Sequence, residues 1–275
     1  MPNTAVGAGK SVSRALSDAT QMLTAAGCET PRLDAELLLA FVLGVGRERL
    51  VIDASAELDS FDLARFEELV ARREAREPVA YILGRQAFRR ISLAVDRRVL
   101  IPRPETELLV EVALSLGRGA RVADVGTGSG AVALALKEER PDLSVVGVDV
   151  SEDALAVARS NAQQLGLDVE FLRADLLEGV PGPFDAVLGN LPYVAEGSAL
   201  PPEIEDYEPE LALFGGPDGM DVTRRLLTMV DAVPLLALEV GLGEAVAELV
   251  SAAGFPSVEI LPDLAGHERV VVGRR

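Results

Sequence analysis

The chain has 275 residues, of which 49% are hydrophobic and 25% are charged, the balance of an ordinary soluble globular protein. Its formal net charge of −18 disfavours nucleic-acid binding, which usually depends on Lys and Arg contacts with phosphates, although the acidity is equally consistent with a role in solubility. The single cysteine, Cys28, excludes multi-cysteine metal sites, and the single histidine, His267, disfavours a Ser/His/Asp triad.

The sequence also bears on where the protein works. No uninterrupted apolar run of about 18 residues occurs, so no segment is predicted to span a bilayer. The first ten residues are small and polar, without the apolar stretch of a signal peptide. These features predict a cytoplasmic protein.

The N-terminal part of the chain has a helical pattern. Over residues 13–76, apolar side chains recur at spacings of three and four, as in amphipathic helices. Acidic residues from Asp59 precede the last of these segments and basic residues from Arg72 close it, an order that suits the helix dipole. Pro78 ends the pattern. The sequence therefore predicts a small helical domain over residues 1–80, without a catalytic signature of its own.

Two extended segments follow. In residues 81–100, apolar residues such as Ile91 alternate with polar ones, which predicts a β-hairpin that links two domains. Residues 101–107, Ile-Pro-Arg-Pro-Glu-Thr-Glu, place Arg103 between two prolines that restrain its backbone. This segment is either a stiff linker or a part of the substrate site to which Arg103 contributes.

From residue 121 onward, apolar strands alternate with helices, which predicts an α/β domain over residues 101–275 with helices on both faces of a mainly parallel sheet. The predicted strands are 122–125, 145–148, 169–172, 184–188, 235–240, 258–261 and 270–272. The predicted helices between them include 132–139, 152–165, 221–230 and 244–252. A short connection joins the last two strands, so they are expected to form an antiparallel pair in a seven-stranded sheet.

A glycine-rich segment follows the first of these strands. It consists of Asp124, Val125, Gly126, Thr127, Gly128, Ser129 and Gly130. Alternating glycines let the backbone turn tightly and approach a ligand without a Cβ in the way. Asp149 ends the second strand, where an acid in a nucleotide-binding α/β fold can hold ribose hydroxyls. The spacing departs from the dinucleotide fingerprint, and the Gly-Lys-Ser/Thr ending of a phosphate loop is missing.

The acid and glycines resemble motif I of class I S-adenosylmethionine-dependent methyltransferases. The resemblance implies S-adenosylmethionine as cofactor, with Gly126, Gly128 and Gly130 at its methionine moiety and Asp149 at its ribose. Asp124, Thr127 and Ser129 of the same segment are also predicted cofactor-binding residues. It also implies that Asp175 accepts a hydrogen bond from the adenine amino group and that Leu176 packs on the ring. The alternative that Asp175 is an ordinary helix cap stays open, because Asp is favoured at the N-cap position of helices.

The fourth strand runs into Asn190, Leu191, Pro192 and Tyr193, which resemble the (Asn/Asp)-Pro-Pro-(Tyr/Phe) motif of methyltransferases that act on nitrogens conjugated to a planar system. Such a nitrogen is a poor nucleophile and carries two hydrogens. The Asn190 side-chain oxygen and the Leu191 carbonyl can accept them beside the cofactor, while Tyr193 packs on the flat group. These four residues are the predicted catalytic and substrate-binding residues, and Asn190 is also a predicted cofactor-binding residue. Leu191 replaces the usual proline, and Pro192 is expected to keep it extended.

The ordered set of motifs resembles the bacterial release factor glutamine methyltransferase family over nearly the whole chain. Its members here are residues 31–36, 77–84, 101–107, 124–130, 190–193, 207–209 and 266–269. The resemblance implies methylation of the glutamine in the Gly-Gly-Gln loop of class I peptide chain release factors. It further implies that the helical domain helps to hold that protein substrate.

Three alternatives stay open. A methyltransferase acting on an exocyclic amine of adenine or guanine would use the same Asn-x-Pro-Tyr chemistry, but it needs a basic groove that the net charge of −18 disfavours. A non-catalytic S-adenosylmethionine-binding factor is disfavoured because Asn190 and Tyr193 are intact. An NAD-dependent oxidoreductase is disfavoured by the glycine spacing.

Overall fold

A computed structural model of the chain describes residues 10–275, which divide into two units. The first unit contains the described residues up to Gly84 together with Pro202–Tyr207, and the second contains Arg85–Pro201 and Glu208–Arg275. The first nine residues, where the sequence predicts no signal peptide, lie outside the described residues. Within residues 10–275, every helix is too short or too polar to cross a membrane.

Most of the helices and strands are short. The α-helices are α1 (Val12–Ala25), α2 (Pro31–Leu43), α3 (Arg47–Ile52), α4 (Ser60–Glu74), α5 (Val79–Leu83), α6 (Glu107–Leu114), α7 (Ala131–Glu139), α8 (Glu152–Leu165), α9 (Pro202–Glu205), α10 (Asp221–Leu227) and α11 (Gly243–Ala252). Short 3₁₀ helices cover Pro104–Thr106 and Glu210–Ala212. The strands are β1 (Arg85–Phe88), β2 (Ile91–Ala94), β3 (Arg121–Val125), β4 (Ser144–Asp149), β5 (Glu170–Arg173), β6 (Ala186–Asn190), β7 (Leu235–Glu239), β8 (Ser257–Pro262) and β9 (Glu268–Arg274).

The first unit is helical, as the sequence predicts. Its helices begin at side-chain caps where the sequence offers them: the Ser11 hydroxyl accepts from the Arg14 amide at the start of α1, and the Asp59 carboxylate accepts from the Asp62 amide at the start of α4. The buried faces of these helices form one apolar core around residues such as Phe66.

A buried arginine ties the distant segment Pro202–Tyr207 into this first unit. Arg73 donates to Asp34 on α2 at 2.7 Å and to Glu203 on α9 at 2.8 Å. Arg76 donates to the second oxygen of Glu203 at 2.6 Å. Since removing one partner of a buried ion pair leaves a charge without compensation, this cluster holds α9 in place.

The second unit is built on a seven-stranded sheet in the order β5-β4-β3-β6-β7-β9-β8. The first five of these strands are parallel, while β9 pairs antiparallel with both β7 and β8. Apolar side chains cover both faces of the sheet in two separate cores. The predicted fold class, a seven-stranded mainly parallel sheet with a helical N-terminal region and a hairpin between them in the chain, is confirmed.

The hairpin of β1 and β2 is anchored to the second unit by one side chain. Asn161 on α8 accepts from the Ala94 amide at 2.8 Å and donates to the Ala94 carbonyl at 3.1 Å. The same amide group donates to the Ser129 carbonyl at 2.9 Å. Asn161 is buried and fully hydrogen-bonded, so it connects the hairpin to the glycine-rich segment.

Candidate active site

A pocket of about 290 Å³ opens at the carboxyl ends of β3, β4 and β6. The chain runs from β3 outward through β4 to β5 and then returns to the other side of β3 as β6, so the strand order reverses beside β3. Open α/β sheets bind ligands in the crevice at such a reversal. The volume is close to the lower end of the roughly 300–1,000 Å³ that small-molecule sites occupy.

The glycine loop, residues 124–130, forms one wall of this pocket. Gly126 and Gly128 adopt φ values of +72° and +55°, a region that side chains rarely occupy. The amides of Gly126 and Thr127 donate to the Val148 carbonyl at 2.8 and 2.9 Å, which folds the loop back over the end of β4. The loop thus presents backbone, with no Cβ at Gly126 or Gly128, to whatever fills the pocket.

Asp124, near the end of β3, holds the glycine loop by hydrogen bonds. Its carboxylate accepts from the Thr127 hydroxyl at 2.6 Å and from the Ala133 amide at 3.1 Å, so it joins the loop to the first turn of α7. Burial raises the pKa of Asp124 to about 6, against the two hydrogen bonds that lower it. An acid in this position places negative charge against the pocket at neutral pH.

Asp149, the last residue of β4, also contacts the glycine loop. Its two carboxylate oxygens accept from the amides of Gly128 and Ser151, each at 2.9 Å. Burial also raises the pKa of Asp149, and the same backbone bonds partly offset that effect. Each oxygen keeps a second lone pair. Asp149 can therefore hold the loop and still accept hydrogen bonds from a ligand's hydroxyl groups.

The end of β5 contributes the residues predicted to contact adenine. Asp175 forms an ion pair with Arg225 at 2.7 Å, and both side chains are about half exposed. Leu176 is buried, lines the pocket and has a φ of +53°, which is rare for a residue with a branched side chain. The backbone at Leu176 is therefore shaped so that an apolar side chain faces the pocket.

The acceptor loop, residues 190–193, leaves the end of β6 beside the glycine loop. The Asn190 Nδ2 group donates to the Thr106 hydroxyl at 3.1 Å. The Leu191 side chain is buried in the core of the sheet, and a Cβ built on Gly126 would lie 3.3 Å from its Cδ2 atom. Leucine in place of the usual proline therefore adds apolar packing between the two loops.

Tyr193 points to the end of β7. Its hydroxyl donates to Glu239 Oε1 at 3.4 Å, and Glu239 Oε2 accepts from the Thr106 hydroxyl at 2.5 Å. Burial raises the pKa of Glu239 to about 7, although the bonds from Thr106 and Tyr193 lower it. Burial and the nearby Glu239 charge raise the pKa of Tyr193 to about 12. Tyr193 is thus a neutral hydrogen-bond donor to a buried carboxylate.

Most of the predicted site residues meet in this one pocket. Its lining includes Asp124, Gly126, Thr127, Gly128, Ser129, Asp149, Asp175, Leu176, Asn190, Leu191 and Pro192. Across the described residues, Gly130, Tyr193 and Arg103 fall outside the lining. A Cβ on Gly130 would lie 3.0 Å from Leu134 and 3.3 Å from Phe171, so this third glycine allows helix α7 to pack closely.

Arg103 and Glu208 form an ion pair at the start of the segment before α6. The Glu208 side chain is only 1% exposed, and it also accepts from the Ile101 amide at 3.3 Å. Burial raises the pKa of Glu208, which the Arg103 charge opposes. The contact that the structure gives Arg103 is therefore with Glu208, and its role in substrate binding stays a prediction.

Thr106 and Glu239 are two polar residues of the site that do not belong to the predicted motif residues. Glu239 is the acid that ends the otherwise apolar strand β7, and its Cα lies opposite that of Asn190 in the parallel register. Ligand sites of such sheets lie at the carboxyl ends of the strands, so the sequence marks Glu239 as a polar strand end, although it does not mark Glu239 as a partner of the acceptor loop. Thr106 carried no comparable signal, because a threonine after two prolines is an ordinary turn residue.

The seven-stranded sheet with its reversed strand order is that of the class I methyltransferases, and the glycine loop and the Asn-Leu-Pro-Tyr loop lie beside that reversal. Residues 14–84 match the family described as PrmC N-terminal domain, and residues 104–204 match the family described as Methyltransferase small domain. A methyltransferase structure from Pyrococcus furiosus shares the fold, with a TM-score of 0.52 and 19% identity over 66% of this chain and 87% of that chain.

Curated relatives are much more similar in sequence. The release factor glutamine methyltransferase of Rhodospirillum rubrum is 41% identical over 95% of this chain and 84% of the relative. That of Deinococcus radiodurans is 41% identical over 94% of this chain and 97% of the relative. The chain belongs to the release factor glutamine methyltransferase family and is a methyltransferase.

Proposed function

We propose that this enzyme transfers the methyl group of S-adenosylmethionine to the side-chain amide nitrogen of the glutamine in the Gly-Gly-Gln loop of class I peptide chain release factors. One observation carries the proposal: Asn190 lines the pocket, and its Nδ2 group donates to the Thr106 hydroxyl. Its Oδ1 atom is therefore the end of the amide that can accept a hydrogen bond from a substrate. An acceptor oxygen at this position suits a substrate nitrogen that carries hydrogens. The family of the relatives supports glutamine as the group that bears this nitrogen.

The residues of the pocket fit S-adenosylmethionine. Its sulfonium group supplies a methyl group that is open to in-line displacement. Gly126 and Gly128 would contact the methionine moiety through backbone, because neither has a Cβ in the way. Asp149 would accept from the ribose hydroxyls through its free lone pairs. Asp124 and Asp149 are buried acids at the pocket, a setting that favours a ligand with a positive charge.

The acceptor loop can orient an amide. An amide nitrogen is a poor nucleophile because its lone pair is delocalised into the carbonyl. Asn190 Oδ1 and the Leu191 carbonyl would accept the two N–H groups and so turn the nitrogen toward the methyl group. Pro192 biases Leu191 toward extended backbone, which supports this use of its carbonyl. The chemistry then depends on position and hydrogen bonding, with no covalent intermediate on the enzyme.

A protein acceptor agrees better with the surface than a nucleic acid does. The net charge of −18 opposes a phosphate backbone. The first unit exposes apolar side chains, with Phe61 78%, Val51 74% and Ile52 67% accessible. Exposed apolar side chains of this size are more typical of protein contacts than of phosphate contacts. A release factor is therefore the substrate we propose, and the first unit is the part that we propose to bind it.

A methyl-transfer assay tests this function directly. Purified enzyme and radiolabelled S-adenosylmethionine are offered a class I release factor, the same factor with its Gly-Gly-Gln glutamine replaced by alanine, or nucleic acid. We expect label in the first protein and none in the alanine variant. The Asn190→Ala enzyme controls for a contaminating methyltransferase. Label that appears only in nucleic acid would overturn the proposed acceptor.

A further inference from the structure

A chain of hydrogen bonds runs from the acceptor loop into the protein interior. Asn190 Nδ2 donates to Thr106 Oγ1 at 3.1 Å, and Thr106 Oγ1 donates to Glu239 Oε2 at 2.5 Å. The Tyr193 hydroxyl donates to the other carboxylate oxygen at 3.4 Å. Thr106 and Glu239 are both buried, at 4% exposure each. The first and last residues of the acceptor loop are thus tied to the same carboxylate.

The direction of this chain follows from its donors and acceptors. An ionised carboxylate only accepts, so the single Thr106 proton is directed to Glu239. The Thr106 oxygen can then only accept from the asparagine, which must present its NH₂ group. Asn190 Oδ1 is left on the other side of the amide, where an incoming N–H needs an acceptor. The charge on Glu239 therefore decides which end of the Asn190 amide serves the substrate.

Protonation of Glu239 removes that constraint. A neutral carboxyl can donate to Thr106, whose own proton is then free to point to Asn190, and the amide can turn over. Burial brings the pKa of Glu239 to about 7, with Glu105 raising it and Thr106, Tyr193 and Arg269 lowering it. The ionised and neutral forms are both accessible near neutral pH, so the direction of the chain depends on pH in that range.

We propose that Glu239 is a positioning residue that fixes, through Thr106, the direction of the Asn190 side-chain amide. It holds Tyr193 at the same time, so one carboxylate orients both ends of the acceptor loop. This inference deepens the proposed function and rests on it for the identity of the substrate. The direction of the Asn190 amide is a property of the enzyme alone, so it can be measured without a substrate.

The kinetic test compares four variants with the wild type. For Glu239→Gln and Thr106→Val we expect kcat to fall roughly 10- to 100-fold, because a small misplacement of a reacting group has effects of this size. The KM for the release factor and the Kd for S-adenosylmethionine should stay near their wild-type values. Thr106→Ser keeps the hydroxyl and should restore most of the activity. Glu248→Gln, on the exposed face of α11, is the matched control.

The pH profile separates positioning from general damage. We expect wild-type kcat to rise with pH through a transition near 7, since the ionised form of Glu239 sets the productive direction. The transition should vanish in Glu239→Gln and persist in Glu248→Gln. The proposal is overturned if Glu239→Gln and Thr106→Val retain wild-type kcat. It is equally overturned if their losses appear alike in kcat, cofactor affinity and thermal stability, with no change in the pH profile.

A spectroscopic arm works even if the release factor proves not to be the substrate. The chain has three asparagines, Asn3, Asn161 and Asn190, so ¹⁵N labelling of asparagine gives a simple spectrum of side-chain amides. The Asn190 signal is assigned by its loss in Asn190→Asp. We expect it to shift between pH 6 and 8 in the wild type and to stay fixed in Glu239→Gln. A signal that ignores pH in the wild type, or moves equally in both proteins, contradicts the proposal.

Discussion

The glycine loop and the acceptor loop leave neighbouring strands, yet they are held in place by different kinds of contact. The glycine loop is stabilised within itself and by the next strand of the chain: Asp124 accepts from Thr127, while Val148 and Asp149 at the end of β4 accept from its amides. The acceptor loop is stabilised from far away. Thr106 precedes Asn190 by 84 positions, and Glu239 follows Tyr193 by 46.

A glycine-rich segment, residues 213–219, braces the acceptor loop from a third place in the chain. The Val194 amide donates to the Leu213 carbonyl and the Gly215 amide donates to the Val194 carbonyl, both at 2.9 Å. A Cβ on Gly219 would lie 2.2 Å from the Tyr193 carbonyl oxygen. The glycine loop is therefore held by residues within 32 positions of it, whereas the acceptor loop also needs partners that lie 84 and 46 positions away.

The largest effect is expected when the acceptor oxygen of Asn190 alone is removed. Asn190→Ala should lower kcat roughly 100- to 1,000-fold, the size of effect seen when one oriented polar group is deleted from an active site. The Kd for S-adenosylmethionine should hardly change, because the glycine loop and Asp149 do not depend on Asn190. Calorimetry of cofactor binding beside single-turnover kinetics separates the two quantities. Near-normal turnover would remove Asn190 from the proposed chemistry.

A substitution at the predicted cofactor site should affect cofactor affinity and leave the chemical step largely intact. Asp149→Ala should weaken S-adenosylmethionine binding roughly 10- to 100-fold, since hydrogen bonds to a charged group contribute about 1.5–3 kcal/mol. At saturating cofactor, kcat should recover in large part because the acceptor loop is untouched. The exposed Asp168→Ala is a suitable control for loss of one negative charge. Unchanged cofactor affinity would contradict the role of Asp149 at the ribose.

The fold could be predicted from the sequence because its signals are local. Apolar runs mark the strands, and capping residues such as Ser151 mark helix starts, so all seven strands of the sheet were expected within a few residues. The extra helix α9 was not expected in the first unit. Its place there depends on the ion pairs of Glu203 with arginines more than 120 positions away, and charge alone does not reveal such a partner.

The site could be predicted only in part, because some of its contacts join residues that are far apart in the sequence. Acid and glycine spacing identifies the glycine loop, and its partner Asp149 is recognisable as the acid that ends the next strand. The motif of the acceptor loop is also recognisable, but its partners Thr106 and Glu239 come from separate elements that meet only in the folded sheet. The pairing of β6 with β7 places Glu239 opposite Asn190, and a single sequence does not state which strands are neighbours.

A smaller effect should follow from disturbing the brace of the acceptor loop. Gly219→Ala combines a φ of +77° with a backbone clash at Tyr193, whereas Gly179→Ala has a φ of +71° and no atom within 4 Å of the new Cβ. Gly179→Ala should cost only the roughly 1–2 kcal/mol of left-handed backbone. Gly219→Ala should cost more in denaturant unfolding and lower kcat by about 10-fold. Equal effects of the two substitutions would show that the segment does not brace the loop.

The smallest effect concerns the pH dependence of the unfolding free energy. Its sign is opposite to that of an ion-paired carboxylate, whose pKa is lowered in the folded protein. Because burial raises the pKa of Glu239 from its ordinary value to about 7, the folded state keeps a proton that the unfolded state has already lost. The stability associated with this group is therefore complete below the unfolded pKa of about 4.5 and is lost as the pH rises through 7.

Between pH 6 and pH 8, wild-type unfolding free energy should fall by about 1 kcal/mol more than that of Glu239→Gln. Asp124 and Asp149, whose pKa values burial also raises, are present in both proteins, so their contributions cancel in the difference and denaturant unfolding at the two pH values isolates Glu239. Glu248→Gln should follow the wild type. Parallel pH dependences of the wild type and Glu239→Gln would mean that the carboxylate is already ionised at pH 6. In the expected case, Glu239 carries a buried charge above pH 7. That charge lowers the unfolding free energy, and the same charge orients the acceptor loop.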